Sequence, residues 1–471
     1  MQVVHLSVEC FPLAKVGGLA DVVGALPRYQ RKMGVDASVV CPYYDRPFVE
    51  KNQFVSIAEG SFFQGAEELS YQVLKEENDV LGFPLFLIRI PGKLDRPEIY
   101  CYPDEAEQWI AFQHAFLDWM KGWEKKPEVV NCHDHHVGLV PFLMKYAVAY
   151  QEFASIKTVF TVHNGQYQGW MDWNKGVLLP TFDTWKWGLL DWDGLINPMA
   201  AAIKCCDAFT TVSQGYLQEL YQNANGLEGL FRQESAKGFG IVNGIDDQYW
   251  NPGVDTLIPH NYTLKNVMTG KKNNKRALAK KMGLDARYPL LAFIGRFAAE
   301  KGADLLPDVV GGLLSGGAVK LSIFVLGSGD EHLQTRLQEL ADQYPKTLAV
   351  FFGYNEALAH EVYAAADYLL MPSRVEPCGL NQLYAMKYGT VPVVRGTGGL
   401  RETVLDYDQE EKGYGFVFEE ADAAEAIRAI ERAVGALQDP VSMREIRKRE
   451  MSLDFSWDKS AEQYVKLYNQ L

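Results

Sequence analysis

Residues 8–27 read VECFPLAKVGGLADVVGALP, and Lys15, Gly17, Gly18 and Asp21 lie between two apolar patterns. The first pattern predicts a strand over residues 3–8. The second, with Leu19, Val22, Val23 and Leu26 at helical spacing, predicts a helix. The first amides of a helix lack intrahelical partners and sit at the positive end of its dipole. Glycine lets backbone approach a ligand, and a lysine adds a full charge. A phosphate or diphosphate suits such a turn. So does a simple tight turn with a solvated lysine. The spacing is neither a Walker loop nor GxGxxG.

Other predicted strand ends carry polar clusters of the same kind. NCHDHHVGL places His133, Asp134, His135 and His136 after a strand, and TVHNGQYQG places His163 and Asn164 after another. HxHH is not a helical HExxH pattern and no thiolate joins it, so metal binding is the lesser reading. Polar groups lining a ligand site are favoured; Asp134 and Asn164 also suit helix caps. In the second half, FIGRFAAEKGADLL supplies Arg296 and Lys301, and VLGSGDEHL puts Gly327, Ser328 and Gly329 in an expected strand-to-helix turn. Glu376 precedes Pro377, Cys378, Gly379 and Leu380, which are expected to open a helix, and Gly396, Gly398 and Gly399 follow. Cations beside glycine turns in both halves fit a diphosphate clamped by fixed charges.

These groups need a scaffold of strands followed by helices, and the chain offers one. Apolar runs at 3–8, 37–41, 85–90, 129–132, 158–162, 208–212, 290–294, 321–326, 348–352, 368–371 and 391–394 alternate with helical patterns. This predicts α/β architecture with parallel, doubly wound sheets. Trp109, Phe112, Phe116, Trp119 and Trp123 form a helical stripe suited to a core. Residues 243–289 are polar and turn-rich, and the pattern restarts at Leu290. The predicted domains are 1–241 and 242–455, with a terminal helix over 456–471 crossing back to the first. Two such domains imply a cleft between them where ligands bind.

At 471 residues the chain exceeds a single core, and its net charge of −14 disfavours nucleic acid and anionic membrane as partners. Seven cysteines without a CxxC pair suggest neither a zinc site nor a disulfide framework. With no basic leader and no long apolar run, a cytoplasmic location is expected.

The motifs KVGGLADV, HDHHVGL, TVHNGQYQG, GIVNGID, GRFAAEKG, VLGSGD, EPCGLNQLYAMKYGTVPVV and TGGL occur in the order seen in bacterial glycogen synthases and plant starch synthases. The sequence resembles that family from residue 3 to the last helix. The resemblance implies the GT-B fold, two doubly wound domains facing a deep cleft, with acceptor on the first and nucleotide sugar on the second. It implies transfer of glucose from ADP-glucose to the non-reducing end of an α-1,4-glucan, with retained configuration, no cofactor and no essential metal. Lys15, Gly17 and Gly18 would bind the donor diphosphate, with Asp21 beside them. Arg296 and Lys301 would neutralise the leaving group. Glu376, with amides near Cys378, Gly379 and Leu380, would hold the sugar and phosphate. Asp134, His163 and Asn164 would line the sugar site, with Asn243 close to it. Gly327 and Gly398 are grouped with the substrate-binding turns, and Tyr354 resembles the residue that stacks on the base. For each, a structural turn or cap is the rival role.

The sequence departs from the family pattern in places. His135 stands where the family has Trp, Val16 where bacterial members often have Thr, and Leu94-Asp95-Arg96-Pro97 lacks the expected tyrosine. Residues 170–192 hold five of the ten tryptophans, suited to a core or to glucan rings. UDP-glucose, another acceptor, or glucan binding without turnover are the remaining alternatives.

Overall fold

The computed structural model describes residues 1–316 and 318–471. The chain divides into two compact units. One comprises Met1–Val212, Leu217–Gly244 and Trp457–Leu471; the other comprises Ser213–Tyr216 and Ile245–Ser456.

The first unit contains β1 (Gln2–Leu6), β2 (Asp36–Pro42), β3 (Phe54–Gln64), β4 (Glu67–Glu76), β5 (Leu85–Arg89), β6 (Val129–His133) and β7 (Lys157–Val162). A small hairpin, β8 (Asp191–Trp192) with β9 (Leu195–Ile196), follows, and then β10 (Ala208–Thr211) and β11 (Gly238–Gly240). Nine of these strands form one sheet in the order β11-β10-β7-β6-β1-β2-β5-β4-β3. All neighbours run parallel except β3 with β4 and β4 with β5. This antiparallel edge was not expected from the sequence. Its outer strand β3 is largely exposed and so lacks the continuous apolar run that marks a buried parallel strand.

The second unit contains β12 (Leu290–Phe297), β13 (Ser322–Gly329), β14 (Leu348–Phe352), β15 (Tyr368–Met371), β16 (Val391–Arg395) and β17 (Phe416–Phe418), ordered β14-β13-β12-β15-β16-β17. Every pairing is parallel. Alternate residues serve opposite faces. Leu291, Phe293, Ile323 and Val325 enter one core, while Leu290, Ala292, Phe324 and Leu326 enter the other. A sheet buried on both faces by helices is the doubly wound arrangement.

Three expectations need correction. The first strand ends at Leu6, because Ser7 turns the chain by donating its hydroxyl to the Glu9 carbonyl at 2.8 Å. The polar stretch 243–289 contains a helix, Val267–Met282, whose polar run KKNNKR conceals its periodicity because Lys271 and Asn274 point into the interior; Gly283 closes it in the left-handed region at φ 76°. The last helix spans Trp457–Tyr468. It packs Trp457, Ala461, Tyr464, Leu467 and Tyr468 against Val22, Leu26 and Tyr29 of helix Gly18–Lys32.

The tryptophan-rich segment is mostly surface. Trp185 is 88% exposed, and Trp170 and Trp187 about half exposed. Trp173 donates its indole N–H to Asp191 at 2.7 Å, and Trp192 to the Gly226 carbonyl at 3.0 Å. By contrast Trp109, Phe112 and Phe116 are buried, as their spacing implied. Among the described residues no helix is long and apolar enough to cross a membrane.

Candidate active site

In doubly wound sheets, ligands bind at the carboxyl ends of strands where the strand order reverses. In the first unit, β1 lies between β2 and β6, so the reversal falls at the ends of β1 and β6. In the second unit, β12 lies between β13 and β15. The Lys15 loop follows β1, Asp134 follows β6, and His163 follows β7. Arg296 lies at the end of β12, Lys301 just beyond it, and Glu376 follows β15.

The Lys15 loop ends at Gly17, the N-cap of helix Gly18–Lys32, with no side-chain cap. A Cβ at Gly17 or Gly18 would meet nothing within 4 Å, and Gly17 has an ordinary extended φ of −140°. Neither packing nor backbone strain accounts for the two glycines, whereas an approaching ligand would. Lys15 is held by Asp21, with Nζ 2.6 Å from Oδ1. The carboxylate of Glu9, a residue not singled out in the sequence, organises the loop. Its Oε2 accepts from the amides of Val16 at 2.6 Å and Gly17 at 3.1 Å, and its Oε1 accepts from the Tyr100 hydroxyl at 2.5 Å. The Gly17 amide therefore already has a partner. Tyr100 itself lies six residues after the buried Leu94 and stacks on His136 at 5.2 Å between ring centroids.

Asp134 sits in the left-handed region at φ 60°, a conformation that a non-glycine residue adopts only under local compulsion. Its Oδ1 accepts from the amides of His163 at 2.7 Å and Asn164 at 3.4 Å, which ties the ends of β6 and β7 together. Burial pushes its carboxyl up to about 7; those two amides oppose the shift and the Glu9 charge adds to it. Asn164 is partly spent on its own turn, accepting from the Gln166 amide at 3.0 Å. Asn243 is 5% exposed, and its Oδ1 has no hydrogen-bond partner. A buried acceptor left without a donor costs about 1–3 kcal/mol. His133 makes ring-nitrogen contacts with His5 at 3.0 Å and His163 at 2.9 Å. Among the described residues no group of three or more His, Cys, Asp and Glu is arranged to hold a metal ion.

In the second unit, Lys301 and Glu376 are brought together. Lys301 Nζ lies 2.8 and 2.7 Å from the two carboxylate oxygens, and Ser373 Oγ donates to Oε2 at 3.1 Å. The lysine is positioned by Gly302, at φ 63°, where a Cβ would lie 2.0 Å from the Pro372 carbonyl. Only glycine fits there. Arg296 is paired with Glu300 one turn on, and its side chain remains 65% exposed.

Residues 377–380 do not open a helix. They form a loop, and helix Asn381–Lys387 starts after Leu380, its N-cap. The reason is local. Gly379 takes φ 73°, and Gln382 folds back to donate to the carbonyls of Cys378 at 3.0 Å and Gly379 at 2.9 Å. Gly399 lies against this loop, donating its amide to the Glu376 carbonyl at 3.0 Å, and a Cβ there would lie 2.1 Å from the Cys378 carbonyl. Gly398 is at φ 45°. Gly327 and Gly329 are in strand β13 rather than in a turn, because Gly327 pairs with Gly295 and Gly329 with Phe297. A Cβ at Gly327 would lie 2.1 Å from the Gly295 carbonyl, so close strand packing alone requires that glycine. Tyr354 is 79% exposed and donates its hydroxyl to Glu356 Oε2 at 2.9 Å.

Cations and buried carboxylates thus lie at the strand ends of two doubly wound sheets, an arrangement suited to a nucleotide-sugar glycosyltransferase. Residues 2–233 match the starch synthase catalytic domain, and residues 274–449 match glycosyl transferases group 1. The glycogen synthase of Flavobacterium johnsoniae is 46% identical over 469 residues, covering 100% of this chain and 99% of that one. The glycogen synthase of Geobacillus stearothermophilus is 36% identical over 489 residues, with 100% and 98% covered. The catalytic domain of starch synthase IV from Arabidopsis thaliana, solved bound to ADP and acarbose, superimposes with a TM-score of 0.89 at 30% identity, covering 100% and 99% of the chains. The chain belongs to the glycogen and starch synthase family, and it is a glycosyltransferase of the glycogen synthase type with the GT-B fold.

Proposed function

We propose that the enzyme transfers glucose from ADP-glucose to the non-reducing end of an α-1,4-glucan, with retention and without a metal ion. The observation that carries this reading is the Lys301–Glu376 pair at the carboxyl end of β15. Breaking the anomeric C–O bond creates an oxocarbenium-like sugar and a diphosphate anion. Lys301, Arg296 and Lys15 are fixed cations suited to the anion, a role that otherwise falls to a metal. The Glu376 carboxylate, 6% exposed, suits the sugar side, where it would accept from a hydroxyl and offset positive charge at the anomeric carbon. Asp134, His163, Asn164 and Asn243 are assigned to the sugar, the Gly17–Gly18 turn and Gly398 to the diphosphate, and Tyr354 to the base.

Retention is assigned to attack from the leaving-group face. The acceptor O4 forms the new bond to C1, and its proton passes to the departing diphosphate oxygen. A double displacement needs a carboxylate free to attack. Both oxygens of Glu376 are engaged by Lys301, which favours the first route.

The preference for ADP-glucose is supported by the ADP bound in the Arabidopsis starch synthase structure. A cytoplasmic location is proposed from the seven cysteines, none of them disulfide-bonded. Transfer of labelled glucose to glycogen from ADP-glucose and UDP-glucose in parallel tests the donor. Faster transfer from UDP-glucose would overturn the ADP assignment, and no transfer from either would overturn the reaction.

A further inference from the structure

We propose that Gln30, His5 and His133 are positioning residues: a buried relay that fixes the His163 imidazole in one tautomer, with its proton on Nε2 and its lone pair on Nδ1. The inference rests on the assignment of His163 to the sugar site. It adds what orients that ring and which hydrogen-bonding character it offers.

The relay is a continuous chain of contacts. His163 Nε2 lies 2.9 Å from His133 Nδ1, His133 Nε2 lies 3.0 Å from His5 Nδ1, and His5 Nε2 lies 2.8 Å from Gln30 Oε1. Gln30 Nε2 reaches the Tyr468 hydroxyl at 3.4 Å, and that hydroxyl lies 2.6 Å from Asn131 Oδ1. Asn131 Nδ2 then meets Thr161 Oγ1 at 2.9 Å and the Cys132 carbonyl at 3.5 Å. His5, Gln30, Asn131 and His133 are all 0% exposed, whereas His163 retains 8%. The open end of the relay is therefore His163.

The far end sets the direction. A backbone carbonyl only accepts, so Asn131 turns its amino group to Cys132 and its oxygen to Tyr468. Tyr468 must donate to that oxygen and so accepts from Gln30. Gln30 then presents Oε1, an obligate acceptor, to His5. His5 carries its proton on Nε2 and accepts at Nδ1. The same logic passes to His133 and then to His163. Burial keeps the rings neutral, holding His5 down near 4 and His163 near 3. A neutral imidazole with Nε2 protonated has only Nδ1 left, and Nδ1 accepts. His163 thus offers an acceptor to a sugar hydroxyl, a choice made by a glutamine on helix Gly18–Lys32 and locked by a tyrosine on helix Trp457–Tyr468.

The test is nitrogen-15 NMR of the full-length enzyme with labelled histidine, alongside steady-state kinetics. His5, His133 and His163 are identified by single substitutions, and each is expected to be protonated on Nε2. Gln30→Met removes the acceptor; tautomers at the three rings should mix and kcat should fall about tenfold, with donor KM changed less than about threefold. Tyr468→Phe removes only the lock and serves as a second variant, with the same signs, should Gln30→Met not fold. An Nδ1-protonated His163 in the wild type overturns the relay, as do wild-type tautomers and kcat in these variants. His163→Ala separates the two ideas: wild-type kcat there would remove His163 from the sugar site, while the spectra still decide the relay.

Discussion

Lys301 holds both oxygens of the Glu376 carboxylate, at 2.8 and 2.7 Å, across 75 residues of sequence. The cation assigned to the leaving group and the carboxylate assigned to the sugar are thus one unit. Removing either partner leaves a buried carboxylate or a partly buried ammonium without its counter-charge. Glu376→Gln should lower kcat by at least about 10², and Lys301→Ala by about 10²–10³, the range for groups aimed at developing charge. Donor Kd should move less than about tenfold in Glu376→Gln. The double variant should lose far less than the product of the single losses, because residues acting as a unit are not additive. Steady-state kinetics with nucleotide calorimetry decide this, and strictly multiplicative losses would show that the two act separately.

Metal independence has a direct check. Dialysis against EDTA should leave transfer nearly intact if the charges assigned to the diphosphate, all of them side chains, suffice. Loss of activity restored by a single divalent ion would contradict this and return attention to His133–His136.

Asp134 predicts a pH effect on stability. Its folded value, raised to about 7, lies above the ordinary 3.8, so the folded state binds the extra proton between those values. Its ionisation in the unfolded chain therefore weakens folding increasingly as pH rises from about 4, levelling off above about 7. Asp134→Asn cannot ionise, keeps the side-chain shape and still accepts from the two amides. It should melt higher than wild type at pH 8, by the equivalent of about 4 kcal/mol, with the gap closing toward pH 4. A gap that is constant with pH would place the effect in backbone strain alone.

The histidines act in the opposite sense. Burial lowers His5, His114, His133, His135, His136 and His163, and all six lie in the first unit. Their contribution is full above the ordinary value of 6.5, where both states are neutral. It is lost as pH falls toward about 4 for His5, His114 and His135 and about 3 for His163, because the unfolded chain takes up protons first. Calorimetry between pH 7 and 4 should show the transition of the first unit falling first. An unchanged order of unfolding would argue that these rings open to water without global unfolding.

Much of this site is written locally in the sequence. Lys15, Gly17 and Gly18, the Arg296–Lys301 stretch and Glu376 are each recognisable within a few residues of a strand end, because strand and turn chemistry are short-range. Their partners are not. Glu9 is an ordinary acid in the sequence until folding places it under the Val16 and Gly17 amides. The chain from His163 to Tyr468 joins residues more than 300 positions apart, and no periodicity signals it. Helix Val267–Met282 was concealed for a different reason, since its buried side includes the polar residues Lys271 and Asn274. Gly327 shows the converse, a glycine in a suggestive motif whose place is already required by contact with Gly295.

The segment Trp457–Leu471 belongs to the first unit although it follows the whole of the second in the chain. During synthesis, residues 1–212 leave the ribosome long before the helix that covers Val22, Leu26 and Tyr29. The first unit is begun first and finished last. Until then its apolar helix face and the end of its histidine chain remain open, a window in which chaperones have something to hold. A cut after residue 456 would separate nothing cleanly: it would strip the first unit of its cover while leaving the second entire.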